Sequence, residues 1–290
     1  GLVQTPNFAV NLGPGPITAV DEVGQSLTIV TTALDPSAFT VLPTIDPTGT
    51  LRFQTRPDYN SLIAPLLVTV QVTDNGSSVA PNVNSSALKT FTIAVAPVND
   101  PPSFTLTGSS LSVPEDNEEF LGVPQSEFPG FVGNVAAGPA TAIDEASQTT
   151  TFNVTTDAPN LFSQQPAIDS SGKLTFKTAS NRAGIATVVV QLQDSGPGAP
   201  APNQNTSNRA TFTITITPVN DPPVFTVLPA VTVEEDAGLS AVSNFASNIQ
   251  RGPQGATDEN AQQITFDVVA DDPSAFIIQP VIAVDGTLSF

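Results

Sequence analysis

The residues in this chain with chemistry to offer are acids and amides, and they recur in a fixed order. Asp-Glu pairs stand at Asp21-Glu22, Asp144-Glu145 and Asp258-Glu259, and Glu-Asp pairs at Glu115-Asp116 and Glu235-Asp236. Asn99-Asp100 and Asn220-Asp221 each precede two prolines, while Asp74 and Asp194 close two similar segments, Val68–Asp74 and Val188–Asp194. Carboxylate, amide and backbone oxygens are hard ligands, the set from which Ca²⁺ draws about six to eight. With 27 acidic residues against 8 basic ones and a formal net charge of −19, the chain cannot neutralise such clusters internally. Two carboxylates about 4 Å apart repel by about 4 kcal/mol at an effective dielectric of about 20, and a divalent cation removes that repulsion. The Asn-Asp-Pro-Pro segments add two side-chain ligands each, and their prolines hold the backbone extended.

The absent residue types exclude other chemistry. Without His or Cys there is no catalytic triad, Cys–His dyad, zinc finger, haem ligand, iron–sulfur cluster or disulfide. A paired-carboxylate hydrolase built on Asp144 and Glu145 fails because neighbours on a strand face opposite ways and nothing else assembles a cleft. The chain is therefore expected to be non-enzymatic. Nucleic acid and anionic membranes need clustered Lys and Arg, so neither is an expected partner. No stretch approaches about 18 uninterrupted apolar residues, so this segment is not expected to insert into a membrane. Absence of Cys fits a bacterial surface better than a small disulfide-stapled domain.

The elements that must position these acids are strands. Phe212, Ile214 and Ile216 alternate with Thr211, Thr213 and Thr215, the period-two signature of a half-buried strand. Val188, Val190 and Leu192 alternate with Val189, Gln191 and Gln193 in the same way. Turn signals at Asp46-Pro47-Thr48-Gly49, Asp169-Ser170-Ser171-Gly172 and Asp285-Gly286 precede Leu-X-Phe strands and mark hairpins. No window has helical periodicity. Phe91, Phe104, Phe152, Phe176 and Phe212 are expected to fill a core that has no Trp or Met.

A repeat of about 120 residues organises the whole chain. Val98-Asn99-Asp100-Pro101-Pro102-Ser103-Phe104 recurs as Val219-Asn220-Asp221-Pro222-Pro223-Val224-Phe225. Before each copy lies one strand type, Thr90–Val95 and Thr211–Ile216. The expected architecture is all-β: tandem antiparallel Greek-key sandwiches of roughly seven strands, in an elongated array. The boundaries are 1–100, 101–221 and 222–290. The first repeat lacks a counterpart of Leu111–Asp116 and the third stops before its last strands, so the chain is expected to begin and end inside a repeat. The acids then fall at strand ends, which are the poles of each sandwich.

The ordered set Asn-Asp-Pro-Pro-X-Phe, Val-Pro-Glu-Asp, Ala-X-Asp-Glu, Leu-Thr-Phe and Val-Gln-Leu-Gln-Asp resembles a cadherin-type repeat, above all the cadherin-like tandem repeats of large bacterial surface proteins. The resemblance covers nearly the whole chain, as one complete and two partial copies. It implies that Asn99 and Asp100 form an inter-repeat linker, with Asp144, Glu145 and Asp194 completing its Ca²⁺ site. It places Glu115 and Asp116 at the next junction with Asn220, Asp221, Asp258 and Glu259, and Asp21, Glu22, Asp74, Glu235 and Asp236 at the equivalent positions of the partial copies. Cadherins carry an Asp-Arg-Glu element after the hairpin. Here the stretches read Arg56-Pro57-Asp58-Tyr59-Asn60 and Ser180-Asn181-Arg182-Ala183, without the glutamate, so one or two ions per junction are expected rather than three.

The implied function is a secreted or cell-surface structural and adhesive module, a rod stiffened by Ca²⁺ in a surface adhesin or extracellular fibre. Its partners would be neighbouring repeats, identical chains in a filament, or a cell-surface ligand. Two alternatives stay open: a filament subunit assembled by strand exchange, and a polysaccharide-binding module. Against the latter stands the absence of Trp and the single Tyr59, because sugar faces are gripped by aromatic platforms. Asp and Asn also cap turns through their own backbone, so plain turn chemistry is the competing reading of each acid. The sequons at Asn75, Asn84, Asn153 and Asn205 and the Pro/Asn/Ser-rich loops Ser77–Ser86 and Ser195–Ser207 read as ordinary loop or strand residues.

Overall fold

The computed structural model describes residues 1–62, 64–116 and 126–290. Among these, regular structure is strand and short 3₁₀ turn throughout, with no α-helix. The chain groups into two compact units. One holds Gly1–Pro102 with Ala136–Thr149 and Asp194–Thr206; the other holds Ser103–Val135, Thr150–Gln193 and Ser207–Phe290.

In the first unit, Leu27–Ala33, Leu66–Asp74 and Lys89–Ile93 form one antiparallel sheet, in register from Leu27 opposite Asp74 to Ala33 opposite Val68. Val3–Thr5, Leu51–Thr55 and Phe39–Ile45 form the other. Their inner faces bury Ala38, Ile45, Leu51, Phe53, Leu66, Val68 and Ile93.

In the second unit, Thr150–Thr156, Gly184–Asp194, Ala210–Thr217 and Ser110–Pro114 make a four-stranded sheet. The last pair is parallel, Thr213 beside Ser110 to Thr217 beside Pro114, where antiparallel pairing alone was expected. The cause is a strand that changes sheet. Ser103–Leu106 pairs with Val132–Ala136, then the chain turns at Thr107–Ser109 and runs alongside Ala210–Thr217 in the same direction. Phe162–Ile168, Leu174–Thr178 and Ser126–Phe128 form a three-stranded sheet. Residues 101–221 thus hold nine described strand segments where about seven were expected, two of them from the split edge strand.

The alternation read from sequence is the burial pattern. Val188, Val190, Leu192, Ile214, Ile216, Phe176 and Phe212 are all at most 1% exposed. Each such side chain contributes about 1.5–3 kcal/mol of burial free energy. Phe91, Phe104 and Phe152 are half-buried at the core margin. Phe131 meets Phe212 edge-on at 4.6 Å and Phe104 meets Phe152 edge-on at 5.6 Å, while Phe128 stacks on Phe176 at 5.6 Å.

The third repeat contributes two small sheets to the second unit, Val224–Val227 with Ala246–Gln250, and Ala241–Val242, Leu288–Ser289 and Val281–Ile282. All three expected hairpins form. Gly49, Gly172 and Gly286 have φ of 78–83°, and an added Cβ at Gly172 would stand 2.1 Å from the Val132 carbonyl oxygen. Asp46, Asp169 and Asp285 bond their own turns, for example Ser171 N–H to Asp169 Oδ1 at 2.8 Å. For these three acids the turn reading is the right one. The hydrogen bonds hold the Asp46 and Asp169 carboxyls below their ordinary range, chiefly through Thr48 and Ser171.

Candidate metal centres

Each Asp-Glu pair sits in the same local structure. In the second repeat, Ala142 N–H donates to Pro139 O (2.9 Å), Glu145 N–H to Ala142 O (3.1 Å) and Gln148 N–H to Glu145 O (2.9 Å). The first repeat has the same ladder, Ala19 to Pro16, Glu22 to Ala19 and Gln25 to Glu22. The third has Ala256 to Pro253 and Gln262 to Glu259. Bonds spaced by three residues are 3₁₀ geometry, which puts positions i and i+3 on one face. Ala, Glu and Gln therefore line up, and the sequence that encodes this is Gly-Pro-X-X-Ala-X-Asp-Glu-X-X-Gln, present three times.

The leading glycine is a steric requirement, because the glutamate folds back over it. A Cβ at Gly15 would lie 1.6 Å from Glu22 Oε2, and one at Gly138 1.7 Å from Glu145 Oε2. At Gly252 it would lie 2.9 Å from Glu259 Cγ.

At the first linker the expected residues Asn99, Asp100, Asp144, Glu145 and Asp194 come together. Asp100 N–H donates to Glu145 Oε1 at 2.6 Å, and Asn99 Nδ2 donates to Asp194 Oδ1 at 3.1 Å. Asn99, Glu145 and Asp194 are 5%, 2% and 4% exposed. Burial raises the Glu145 pKa above the ordinary carboxylate range, and Asp100, Asp144 and Asp194 add repulsion, against the lowering bond from Asp100 N–H. Asp100 is raised by burial and then by Asp58 and Asp144. Asp58 was noted in the sequence only as a departure from the cadherin pattern. It lies with Asp100 and Asp144 around a 390 Å³ cavity and accepts a hydrogen bond from Thr141.

At the second linker, Glu115, Asp116, Asn220, Asp221, Asp258 and Glu259 are likewise assembled. Val219 N–H donates to Glu115 Oε1 (2.9 Å), Asp221 N–H to Glu259 Oε1 (2.9 Å) and Asn181 N–H to Asp116 Oδ1 (2.8 Å). Asp116 and Asn181 both take left-handed backbone, φ 54° and 55°. Glu115 is 0% and Glu259 1% exposed. Burial pushes the Glu115 pKa up, and Asp258, Asp116 and Asp221 push it further, with the Val219 bond opposing them.

Asp21 is exposed, and Glu22 and Asp74 are half-buried; Asp74 Oδ1 accepts from Gly76 N–H at 2.7 Å. Glu235 and Asp236 are exposed on the rim of a 530 Å³ cavity with Leu239, Phe276 and Phe290, and no other expected site acid lines it.

These stations pass a donor test for a cation. Glu115 Oε2, Asp116 Oδ2, Glu145 Oε2, Asp194 Oδ2, Asp258 Oδ1 and Glu259 Oε2 are buried and accept no hydrogen bond. The ion pairs within 4 Å among the described residues, Arg52–Asp46 and Lys173–Glu127, involve none of them. A buried carboxylate oxygen with no donor and no counter-charge is costly; a hard cation satisfies it. No group of three or more acids among the described residues closes into a ready-made shell, so the oxygens are gathered but not converged.

Two residue types escaped the sequence reading. Gln148 Nε2 donates to Asn99 Oδ1 at 2.7 Å, and Gln262 Nε2 to Asn220 Oδ1 at 2.8 Å. The glutamines and leading glycines were visible as fixed spacings around each Asp-Glu pair.

No family model matches the sequence, and no curated protein matches it. Among solved structures the chain is similar to Drosophila N-cadherin EC1-4, at 14% identity over 68% of this chain and 44% of that one, TM-score 0.39. It is similar to mouse protocadherin-24 EC1-3, at 17% identity over 66% and 58%, TM-score 0.38. It is also similar to mouse cadherin-23 EC22-24, at 19% identity over 90% and 74%, TM-score 0.37. The chain spans about half the length of the first two of these structures.

Proposed function

We propose that this chain is a non-catalytic segment of an extracellular rod, three cadherin-like repeats (1–100, 101–221 and 222–290) whose linkers are stiffened by Ca²⁺. The observation that carries the reading is the set of six buried, unpartnered carboxylate oxygens at the linker stations. Asp58, Asp100, Asp144, Glu145 and Asp194 would hold an ion at the first linker. Glu115, Asp116, Asp221, Asp258 and Glu259 would hold one at the second. The bound ion supplies the positive charge that the eight basic residues do not bring to these places. The chain's own part is to bury the acids, to orient Glu145 and Glu259 through the linker N–H groups, and to keep water from screening the site.

Without the ion the acids repel one another and the linker is held only by its hydrogen bonds. Affinities of about 10⁻⁴–10⁻³ M, typical of extracellular modules, suffice where calcium is millimolar. The ordered motif resemblance supports a bacterial surface protein as the parent, with adhesion or fibre formation as its task.

The test is calorimetric titration of the chelated protein with CaCl₂, beside Asp194→Ala and Asp221→Ala. Binding is expected in the wild type, with the first linker's share lost in D194A and the second's in D221A. A flat titration of the wild type up to 10 mM would sink the reading.

A further inference from the structure

The linker dipeptide is gripped in the same way at both stations, by direct hydrogen bonds between protein groups. At the first, Gln148 Nε2 donates to Asn99 Oδ1 (2.7 Å) while Asp100 N–H donates to Glu145 Oε1 (2.6 Å). At the second, Gln262 Nε2 donates to Asn220 Oδ1 (2.8 Å) while Asp221 N–H donates to Glu259 Oε1 (2.9 Å). Glu and Gln are three residues apart on one face of a 3₁₀ ladder, and Asn and Asp are adjacent in the linker. The pairing is thus a two-point match between Glu-X-X-Gln and Asn-Asp.

We infer that Glu-X-X-Gln is a latch for the Asn-Asp linker that works without metal, with Gln148 and Gln262 as its positioning residues. The amide chemistry accounts for the residue choice. A glutamine offers a donor to the asparagine carbonyl without adding charge, whereas a glutamate there would set one more oxygen against an oxygen. The latch also assigns the linker asparagines a different task from the acids. With Oδ1 occupied by Gln148, Asn99 turns its Nδ2 to Asp194 Oδ1 and to Gln204 O (2.6 Å). Its backbone adds two more bonds, Asn99 N–H to Asn203 Oδ1 (2.9 Å) and Gln204 N–H to Asn99 O (2.9 Å). Asn99 thus acts as a clasp whose Oδ1 is taken up by Gln148, and cation binding falls first to the carboxylates.

Amide hydrogen exchange in EDTA tests this directly. Asp100, Gln204 and Asp221 N–H are expected to be protected in the chelated wild type. Gln148→Leu is expected to speed exchange at Asp100 and Gln204 about tenfold, the scale of one lost hydrogen bond. Gln262→Leu should do the same at Asp221, and neither should disturb the other station. Calcium affinity should change less than about threefold in Q148L but more than tenfold in E145Q. Unprotected linker amides in the chelated wild type would overturn the latch, as would Q148L exchange equal to wild type. Loss of calcium binding in Q148L as complete as in E145Q would make the glutamine part of the ion site instead. A wild type that binds no calcium removes the proposed function but leaves the exchange result to judge the latch alone.

Discussion

Glu145→Gln separates a metal site from an ordinary buried acid, because the two predict opposite signs. Glu145 is 2% exposed; its Oε1 takes the Asp100 N–H and its Oε2 has no donor. Glutamine keeps the Oε1 acceptor, removes the charge, and places an NH₂ where three neighbouring acids need a donor. In EDTA, E145Q should therefore be more stable than wild type, by the about 1–3 kcal/mol that an unsatisfied buried group costs. With calcium that lead should be cancelled or reversed. An ion with a Kd of about 10⁻⁴ M at about 10 mM stabilises by about 2.7 kcal/mol. At about 2–4 °C per kcal/mol for units of this size, that is a rise in Tm of about 5–11 °C. Differential scanning calorimetry in EDTA and in CaCl₂ reads both numbers. E145Q above wild type in EDTA and level with it or below it in calcium is the expected outcome. Parallel behaviour of the two proteins in both buffers would refute the reasoning.

Other expectations follow from the same geometry. Gly138→Ala should cost little stability, since the clashing atom is the end of the Glu145 side chain, 1.7 Å away. It should nevertheless abolish calcium binding at the first station by titration, because the carboxylate is evicted. Gly172→Ala meets backbone instead, 2.1 Å from Val132 O at φ +78°, and should lower stability by about 2 kcal/mol or more by denaturant melt. Phe176→Ala removes a fully buried ring and should cost about 3–5 kcal/mol. In EDTA, stability should rise as pH falls from 7 towards the ordinary glutamate value of 4.5, because Glu115 and Glu145, raised by burial, take up protons in the folded state before the unfolded one. Below the ordinary aspartate value of 3.8 it should fall, as Asp46 and Asp169, held low by their turn bonds, are forced to protonate. Melts across this range in EDTA check both limbs; a monotonic rise with pH would contradict the first.

What sequence alone determined here is whatever neighbouring residues decide. Period-two alternation marked Val188–Asp194 and Thr211–Ile216 as strands, and burial follows it residue by residue. Asp-X-X-Gly turns, whose bonds run over two to four residues, were equally legible. So was the recurrence of the acids. Other features depend on partners far away in the chain. Glu145 takes a proton donor 45 residues distant, and Glu115 one 104 residues distant. Which carboxylate oxygens end up buried without a donor, and that Asp58 joins Asp100 and Asp144, cannot be read from spacing because each depends on chain crossings. The parallel pairing of Ser110–Pro114 with Ala210–Thr217 is of the same kind: either direction suits an alternating strand, and the sheet change at Thr107–Ser109 decides it. Local chemistry chose the turns and the alternation, and long-range pairing chose which charges are taken out of water.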